Sequence, residues 1–452
     1  MNRIAESPAS GAMLNELGMA KAAAMIASGR ITSESLVRAC LDRIAVREDA
    51  VRAWAALNAD YALAQALECD RGPARGPLHG VPVGIKDVLD TADLPTQMGS
   101  PIYAGHQSGL DASCVAMLRA AGAVILGKTV TCELAGVAPG ATRNPQDLER
   151  TPGGSSSGSG AAVADRMVPL ALGTQTGGSV LRPASFCGVF GFKPTYNIVN
   201  RAGLKFAAEN LDTIGLLARE LDDIALCFGV LTNQVLPLRA ELRAPRIGVC
   251  HTYLWDKAQL ETRAALAHAT RLASAAGATV EHFDLPPHFA RLTETRETIN
   301  NVERARSLAW DYACHRAQLS PQMTHTIELG HAISGKEYDA ALHFADQCRR
   351  ALDQTFDRFD ILLAPCVNGE APSGLAYAGD PSFQGLWTLL QVPTMSVPAI
   401  RGPHGMPVGV QVIAKRYSDR ALLDVARWLV LNAGIDGQKG IADIPDAELT
   451  DN

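Results

Sequence analysis

No two of the 10 cysteines stand at C-x-x-C spacing, and the 11 histidines join them in no cluster of zinc-ligand spacing, so neither a metal site nor a disulfide framework is expected. The thiols read as reduced, in a cytoplasmic protein. No apolar run approaches the roughly 20 residues that cross a bilayer. The start, "MNRIAESPASGAML", lacks the basic-then-apolar layout of a secretory leader. No membrane partner is expected. There is no basic excess either: a formal charge of -6, with 19% charged and 47% apolar residues, reads as a soluble globular chain without a nucleic-acid partner. No repeat and no clean Pro/Ser/Gly linker divides the 452 residues, which favours one compact domain.

What is present is an alternation of short apolar runs and helical periodicity. In "TSESLVRACLDRIA", Thr32 or Ser33 opens a helix that puts Leu36, Val37, Cys40, Leu41 and Ile44 on one face. "GVPVGI" reads as a buried strand, and "DASCVAMLRAAGAVILGKT" as helix, glycine stop and strand. The unit returns in "RIGVCHTYLW", "LETRAALAHATRLASAAG" and "ATVEHFDLP", with "FDILLAPCV" and "GVQVIA" as later strands. This order predicts an α/β sheet with covering helices.

The stretch "RTPGGSSSGSGAAVA", Arg150 to Ala164, interrupts that alternation. Its composition suits a flexible linker, yet it runs straight into small apolar residues of helical character, as a tight entrance to a helix would. A phosphate loop is disfavoured, because no Gly-Lys-Ser/Thr ending follows and no acidic residue stands at the distance a dinucleotide fingerprint requires. The third reading needs a second site, "GTQTGGSVLRPAS", where Gly177 and Gly178 precede Ser179. Amides free of side-chain obstruction beside a serine suit an oxyanion hole, with Ser179 as nucleophile. A serine hydroxyl needs a base, and no histidine lies in or beside either serine motif. Of nine lysines, Lys86, Lys128 and Lys193 sit in apolar surroundings that would favour the neutral amine. Each could equally be structural, with its ammonium at the surface or paired with a carboxylate such as Asp87.

At these residues the chain resembles the amidase signature family, from about Leu36 to Leu431. The blocks "HGVPVGIKDVLDTADLPTQMGS", "LRAAGAVILGKT", "NPQDLERTPGGSSSGSGAAVA", "ALGTQTGGSVLRPASFCGVFGFKPT", "LDTIGLLAR" and "MPVGVQVIA" follow the family's order. The resemblance implies a single large α/β domain, a mixed central sheet with helices on both faces, over residues 31–435. An N-terminal segment, 1–30, would precede it and a tail, 436–452, would follow. It further implies a triad of Ser179 as nucleophile, Ser155 as bridging serine and Lys86 as base, with the two serines 24 residues apart as the family keeps them. Ser155 would follow a cis peptide bond, and the amides of Thr176, Gly177, Gly178 and Ser179 would form the oxyanion hole. No cofactor and no metal is implied.

The chain departs from the commonest family pattern. Gln175 stands where an aspartate is usual and Leu181 where an arginine is usual, an exchange read as the joint loss of a buried charged pair. Arg182 follows three residues after Ser179 and would hold a substrate carboxylate or pair within the scaffold. The form Gln-Thr-Gly-Gly-Ser-Val-x-Arg-Pro is shared with the branch that includes malonamidase. Ser157 replaces a common glycine, and Trp387 and Met395 are expected in the core. The leading expectation is therefore a cofactor-free amidase releasing ammonia from a small-molecule amide, with a malonamate-like half-amide as candidate and a homodimer left open. The alternative is the glutaminase subunit of a tRNA-dependent amidotransferase, which would feed ammonia to a partner chain.

Overall fold

The first long helix, Ser33–Val51, begins where the Ser35 amide donates to the Thr32 hydroxyl at 3.1 Å and the Thr32 amide donates back to Ser35 Oγ at 3.2 Å. This reciprocal pairing satisfies amides that a helix start leaves open. Thr32 is thus the cap, and Ser33 lies inside the helix with its hydroxyl donating to the Gly80 carbonyl. Leu36, Val37, Cys40 and Ile44 are buried, as the periodicity predicts. These details come from a computed structural model, which describes residues 13–234, 242–437 and 440. Residues 1–12 of the expected N-terminal segment, and all but 436, 437 and 440 of the expected tail, lie outside the described residues.

Eleven described strands form one sheet. They are β1 (Trp54–Leu57), β2 (Pro82–Lys86), β3 (Val124–Thr129), β4 (Leu170–Gln175), β5 (Phe190–Lys193), β6 (Thr213–Ala218), β7 (Arg246–Val249), β8 (Thr279–His282), β9 (Ile361–Pro365), β10 (Thr394–Arg401) and β11 (Pro407–Ile413). Their spatial order is β1-β3-β2-β4-β6-β5-β10-β11-β9-β7-β8. β2 runs parallel to both β3 and β4, and β7 runs parallel to both β8 and β9. The four strands between these groups, β6, β5, β10 and β11, pair antiparallel. Each parallel pair in sequence carries its crossover helix: Ser113–Ala120 between β2 and β3, and Leu260–Ala275 between β7 and β8. The molecule is the single α/β domain with a mixed sheet that the sequence predicts.

Every residue of β2, β3 and β4 is buried, which is why these strands read as continuous apolar runs rather than as alternations. Because β2 and β4 are parallel neighbours, their C-terminal ends reach the same edge of the sheet. That edge receives Lys86 from one strand and the turn after Gln175 from the other, where open α/β sheets commonly hold ligands. Trp387 and Met395 are both fully buried in the core, as expected.

Candidate active site

The serine-glycine stretch is no linker: every residue from 151 to 163 is buried. Its second half forms the helix Ser157–Ala164. The Gly158 amide donates to the Val130 carbonyl, and a Cβ at Gly158 would fall 2.2 Å from the Ala53 carbonyl oxygen, so only glycine lets the helix approach this closely. Ser156 ties the stretch to β4, its hydroxyl donating to the Thr174 carbonyl and accepting the Thr174 amide, both at 3.2 Å. The Cys132 amide holds the Ser155 carbonyl at 3.1 Å. The Gly154–Ser155 peptide is cis.

Lys86 leaves the end of β2 and is fully buried. Its Nζ lies 2.8 Å from Ser155 Oγ, 2.8 Å from Thr174 Oγ1 and 3.3 Å from the Thr174 carbonyl oxygen. Among the described residues no carboxylate pairs with this amine. Burial, which penalises the charged form, lowers its pKa to about 7 against an ordinary 10.5. Lys128 and Lys193 are buried as well but stand elsewhere. Lys128 Nζ is 3.3 Å from Asp87 Oδ1 and donates to Thr96 Oγ1 at 2.6 Å. Lys193 Nζ donates to the carbonyls of Pro194 and Val392. Of the three lysines that sequence patterning left open, only Lys86 meets a serine of the two motifs.

Ser179 sits on the turn between β4 and the helix Leu181–Cys187. Its carbonyl accepts the Ser156 amide at 3.2 Å, which brings the turn against the residue next to Ser155. Gln175 shapes this turn. Its Oε1 accepts the amides of Val180 and Leu181 at 2.9 and 3.0 Å, and its Nε2 donates to Thr388 Oγ1, which in turn donates to the Gly177 carbonyl. The loss of the usual aspartate thus leaves a neutral side chain that caps the following helix. The amides of Thr176, Gly177, Gly178 and Ser179 donate to no acceptor among the described residues. A Cβ at Gly178 would fall 2.3 Å from Gln384 Oε1, so the turn is walled on one side by that glutamine.

Three residues around the turn were not singled out from the sequence, although Thr174 and Asp212 lie within the blocks "ALGTQTGGSVLRPASFCGVFGFKPT" and "LDTIGLLAR". Asp212 accepts Thr176 Oγ1 at 2.5 Å and the amides of Ala207 and Ala208, anchoring the turn to the preceding loop. Thr174 supplies two of the three oxygens around Lys86 Nζ, Ser155 Oγ being the third. Arg296 arrives from the helix Leu292–Ser307, more than a hundred residues along the chain. Arg182 is buried, and its Nη2 donates to the Gly154 carbonyl at 2.5 Å.

A cavity of about 980 Å³ opens elsewhere, between the helices Met19–Ala27, Ser113–Ala120 and Leu221–Leu231. None of Lys86, Ser155, Ser179 or Arg182 lines it, so its size does not make it the site of chemistry. Among the described residues no three His, Cys, Asp or Glu side chains gather as a metal cluster, and no helix is long and apolar enough to cross a membrane.

The sequence model of the family described as Amidase matches residues 35–423. The chain belongs to the amidase family. Among solved structures, one titled as the crystal structure of an amidase is 30% identical and superposes with a TM-score of 0.83, covering 91% of this chain and 99% of that one. This amidase is thus an amide hydrolase by family. Among curated relatives, a glutamyl-tRNA(Gln) amidotransferase subunit of Oleidesulfovibrio alaskensis is 34% identical, over 92% of this chain and 97% of that protein. The protein of the same name from Roseiflexus castenholzii is 35% identical, over 91% and 95%.

These relatives correct two expectations. The leading one, a self-standing amidase acting on a small malonamate-like half-amide, gives way to the alternative, because the matched relatives are named as amidotransferase subunits over nearly their full length. The expected partners, a small-molecule substrate with no nucleic acid, fall with it, since those proteins are named for an enzyme of glutamyl-tRNA. The physical reason is that a net charge of -6 describes one chain's own surface and says nothing of what a companion subunit carries. A site motif reports local chemistry, which one fold lends to many assemblies.

Proposed function

We propose that this chain is the amide-hydrolysing subunit of a tRNA-dependent amidotransferase, releasing ammonia from glutamine for a partner chain. The observation that carries this reading is the 34–35% identity to such subunits across 91–92% of the chain. Cytoplasmic residence accords with it, as do 10 cysteines that are all free.

Lys86, Ser155 and Ser179 would carry the chemistry. A neutral amine has two N–H groups and one lone pair. The hydroxyl and carbonyl oxygens of Thr174 take the N–H groups, which aims the lone pair at Ser155 Oγ. Lys86 then accepts the proton of Ser155 as Ser155 accepts that of Ser179, and Ser179 Oγ bonds to the amide carbon. The resulting ammonium finds three oxygen acceptors already in place. The free amides of Thr176 to Ser179 receive the oxyanion, the proton returns to the leaving nitrogen, and water cleaves the acyl-enzyme.

Reconstitution with the complementary subunits and glutamyl-tRNA tests the reading. Glutamine should support glutaminyl-tRNA formation by the intact assembly. Ser179→Ala should abolish glutamine-dependent formation, and added ammonium salt should restore it, because only the supply of ammonia is lost. An assembly in which glutamine nitrogen never reaches tRNA would overturn the proposal.

A further inference from the structure

The turn that carries Ser179 keeps its amides free because its carbonyls are held. The Gly178 carbonyl accepts the Arg182 amide at 2.9 Å, and the Ser179 carbonyl accepts the Ser156 amide at 3.2 Å. Both of these holds come from backbone. The Gly177 carbonyl differs: it accepts a side-chain hydroxyl, Thr388 Oγ1, at 2.7 Å, from a residue 211 positions along the chain.

A trans peptide is planar, and its C=O and N–H point in opposite directions. Among the described residues the only cis peptide bond is Gly154–Ser155. The hold on the Gly178 carbonyl therefore sets the direction of the Ser179 amide, and the hold of Thr388 on the Gly177 carbonyl sets that of the Gly178 amide. The Gly178 amide points away from Thr388 and meets no acceptor among the described residues. Its peptide also has little stiffness of its own. It joins two glycines, which take φ of either sign at little cost, so its plane turns unless something outside the turn holds it.

Thr388 is placed to do that. It is buried on the helix Ser382–Leu389. A hydroxyl has one proton and two lone pairs. Gln175 Nε2 donates to Thr388 Oγ1 at 3.0 Å and occupies one lone pair, which leaves the proton for an acceptor. Two are in reach: the Gly177 carbonyl at 2.7 Å, and the Gln384 carbonyl, one turn back in the same helix, at 3.2 Å. The second is the ordinary back-bond of a helical threonine, and the first is the shorter. The helix is itself fixed at both ends. Gln411 Nε2 donates to the Phe383 carbonyl at 3.2 Å, and Arg349 gives Nε and Nη2 to the Leu389 carbonyl at 3.0 and 2.9 Å. It packs directly on the two glycines: a Cβ at Gly177 would fall 3.3 Å from Pro381 Cβ, and one at Gly178 2.3 Å from Gln384 Oε1.

We infer that Thr388 is a positioning residue for amide hydrolysis: its hydroxyl, aligned by Gln175, locks the Gly177–Gly178 peptide so that the Gly178 amide meets the oxyanion formed as Ser179 attacks. The inference rests on Ser179 as the nucleophile of the proposed function and does not depend on glutamine as the substrate. Thr388 touches neither substrate nor Lys86, so its effect is confined to the direction of one donor.

The test compares wild type with Thr388→Val, which keeps the shape and deletes the hydroxyl, and Thr388→Ser, which keeps the hydroxyl. In the reconstituted assembly, Thr388→Val should lower kcat for ammonia release from glutamine by about 10- to 100-fold, somewhat less than outright removal of an oxyanion donor. KM and the acid limb of the pH profile should hold, because the lost interaction is made only in the transition state. Thr388→Ser should recover most of the rate. A Thr388→Val enzyme with wild-type kcat, or a loss that Thr388→Ser does not recover, overturns the inference. Labelling of Ser179 by a fluorophosphonate needs no amide substrate, and Thr388→Val should slow it by a similar factor. Slowed labelling in a protein whose wild type releases no ammonia from glutamine sustains the inference and overturns the glutamine reading; undiminished labelling overturns the inference. A last measurement uses wild type alone, so that it does not depend on a variant folding. In a crystal structure of the Ser179 phosphonate adduct, the phosphoryl oxygen should lie about 3 Å from the Gly178 nitrogen, with Thr388 still on the Gly177 carbonyl. An oxygen out of reach of that amide overturns the inference.

Discussion

The ends of β2 and β3 lie side by side, and each delivers a fully buried lysine. In register, Ile85 faces Lys128 and Lys86 faces Thr129. Side chains alternate across a strand, so Lys86 and Lys128 emerge on opposite faces of the sheet. Asp87 follows Lys86 and falls on the face of Lys128, where the two form an ion pair at 3.3 Å. Lys86 is left on the other face with hydroxyl and carbonyl oxygens only. The difference teaches that burial alone does not make a base. Burial lowers the pKa of Lys128 as well, but there the Asp87 carboxylate opposes the shift and favours the cation, whereas no carboxylate pairs with Lys86 and burial favours the neutral amine.

The largest effect should come from Lys86→Met, which keeps the packing and deletes the base. Amide hydrolysis should fall by about 10⁴-fold or more. The melting temperature should hold or rise, because an apolar chain replaces a buried amine. Retained hydrolysis would break the comparison. Next, Lys128→Met should destabilise the fold by about 3–5 kcal/mol in urea denaturation, because it strands a buried carboxylate, and adding Asp87→Asn should recover most of that loss. A Lys128→Met protein as stable as wild type would show that the pair is not what distinguishes the two strands.

The smallest effect is in pH. A base with a pKa of about 7 must be unprotonated to act, so kcat/KM should fall about tenfold per pH unit below that value and level off above it. The same shift has a stability sign. The folded pKa lies below the ordinary 10.5, so between about 7 and 10.5 the unfolded chain binds more protons and stability rises with pH. Lys86→Met should flatten that rise, and Lys128→Met should leave the acid limb of the rate profile where it was. A limb that moves with Lys128 would assign the titration to the wrong strand.

Much of the fold was readable because each element states its own period. The Thr32 cap, the helix it opens and the runs of β2, β7, β9 and β11 all depend on neighbours within a few residues. The pairing of β5 with β10 and of β11 with β9 joins segments far apart in sequence, which no local period records. The site divides the same way. Ser155, Ser179 and the glycines between β4 and its helix are marked by composition, and Thr174 and Asp212 lie in quoted blocks without a role assigned to them, whereas Arg296 looks like any other helical residue until the chain folds. Gln175, read as half of a vanished charged pair, turned out to cap the helix after the turn.

The sequence by itself determined an α/β chain, two serine-glycine motifs and three lysines poor in local charge, because propensity, periodicity and spacing act over short range. Only the tertiary structure decided which lysine meets Ser155, which carboxylate pairs with which amine, and that an arginine from a distant helix comes to lie beside Gly177. Those outcomes depend on the face and register at which strands pair. A shift of one residue in β2 would have exchanged the surroundings of Lys86 and Asp87 without altering the composition at all.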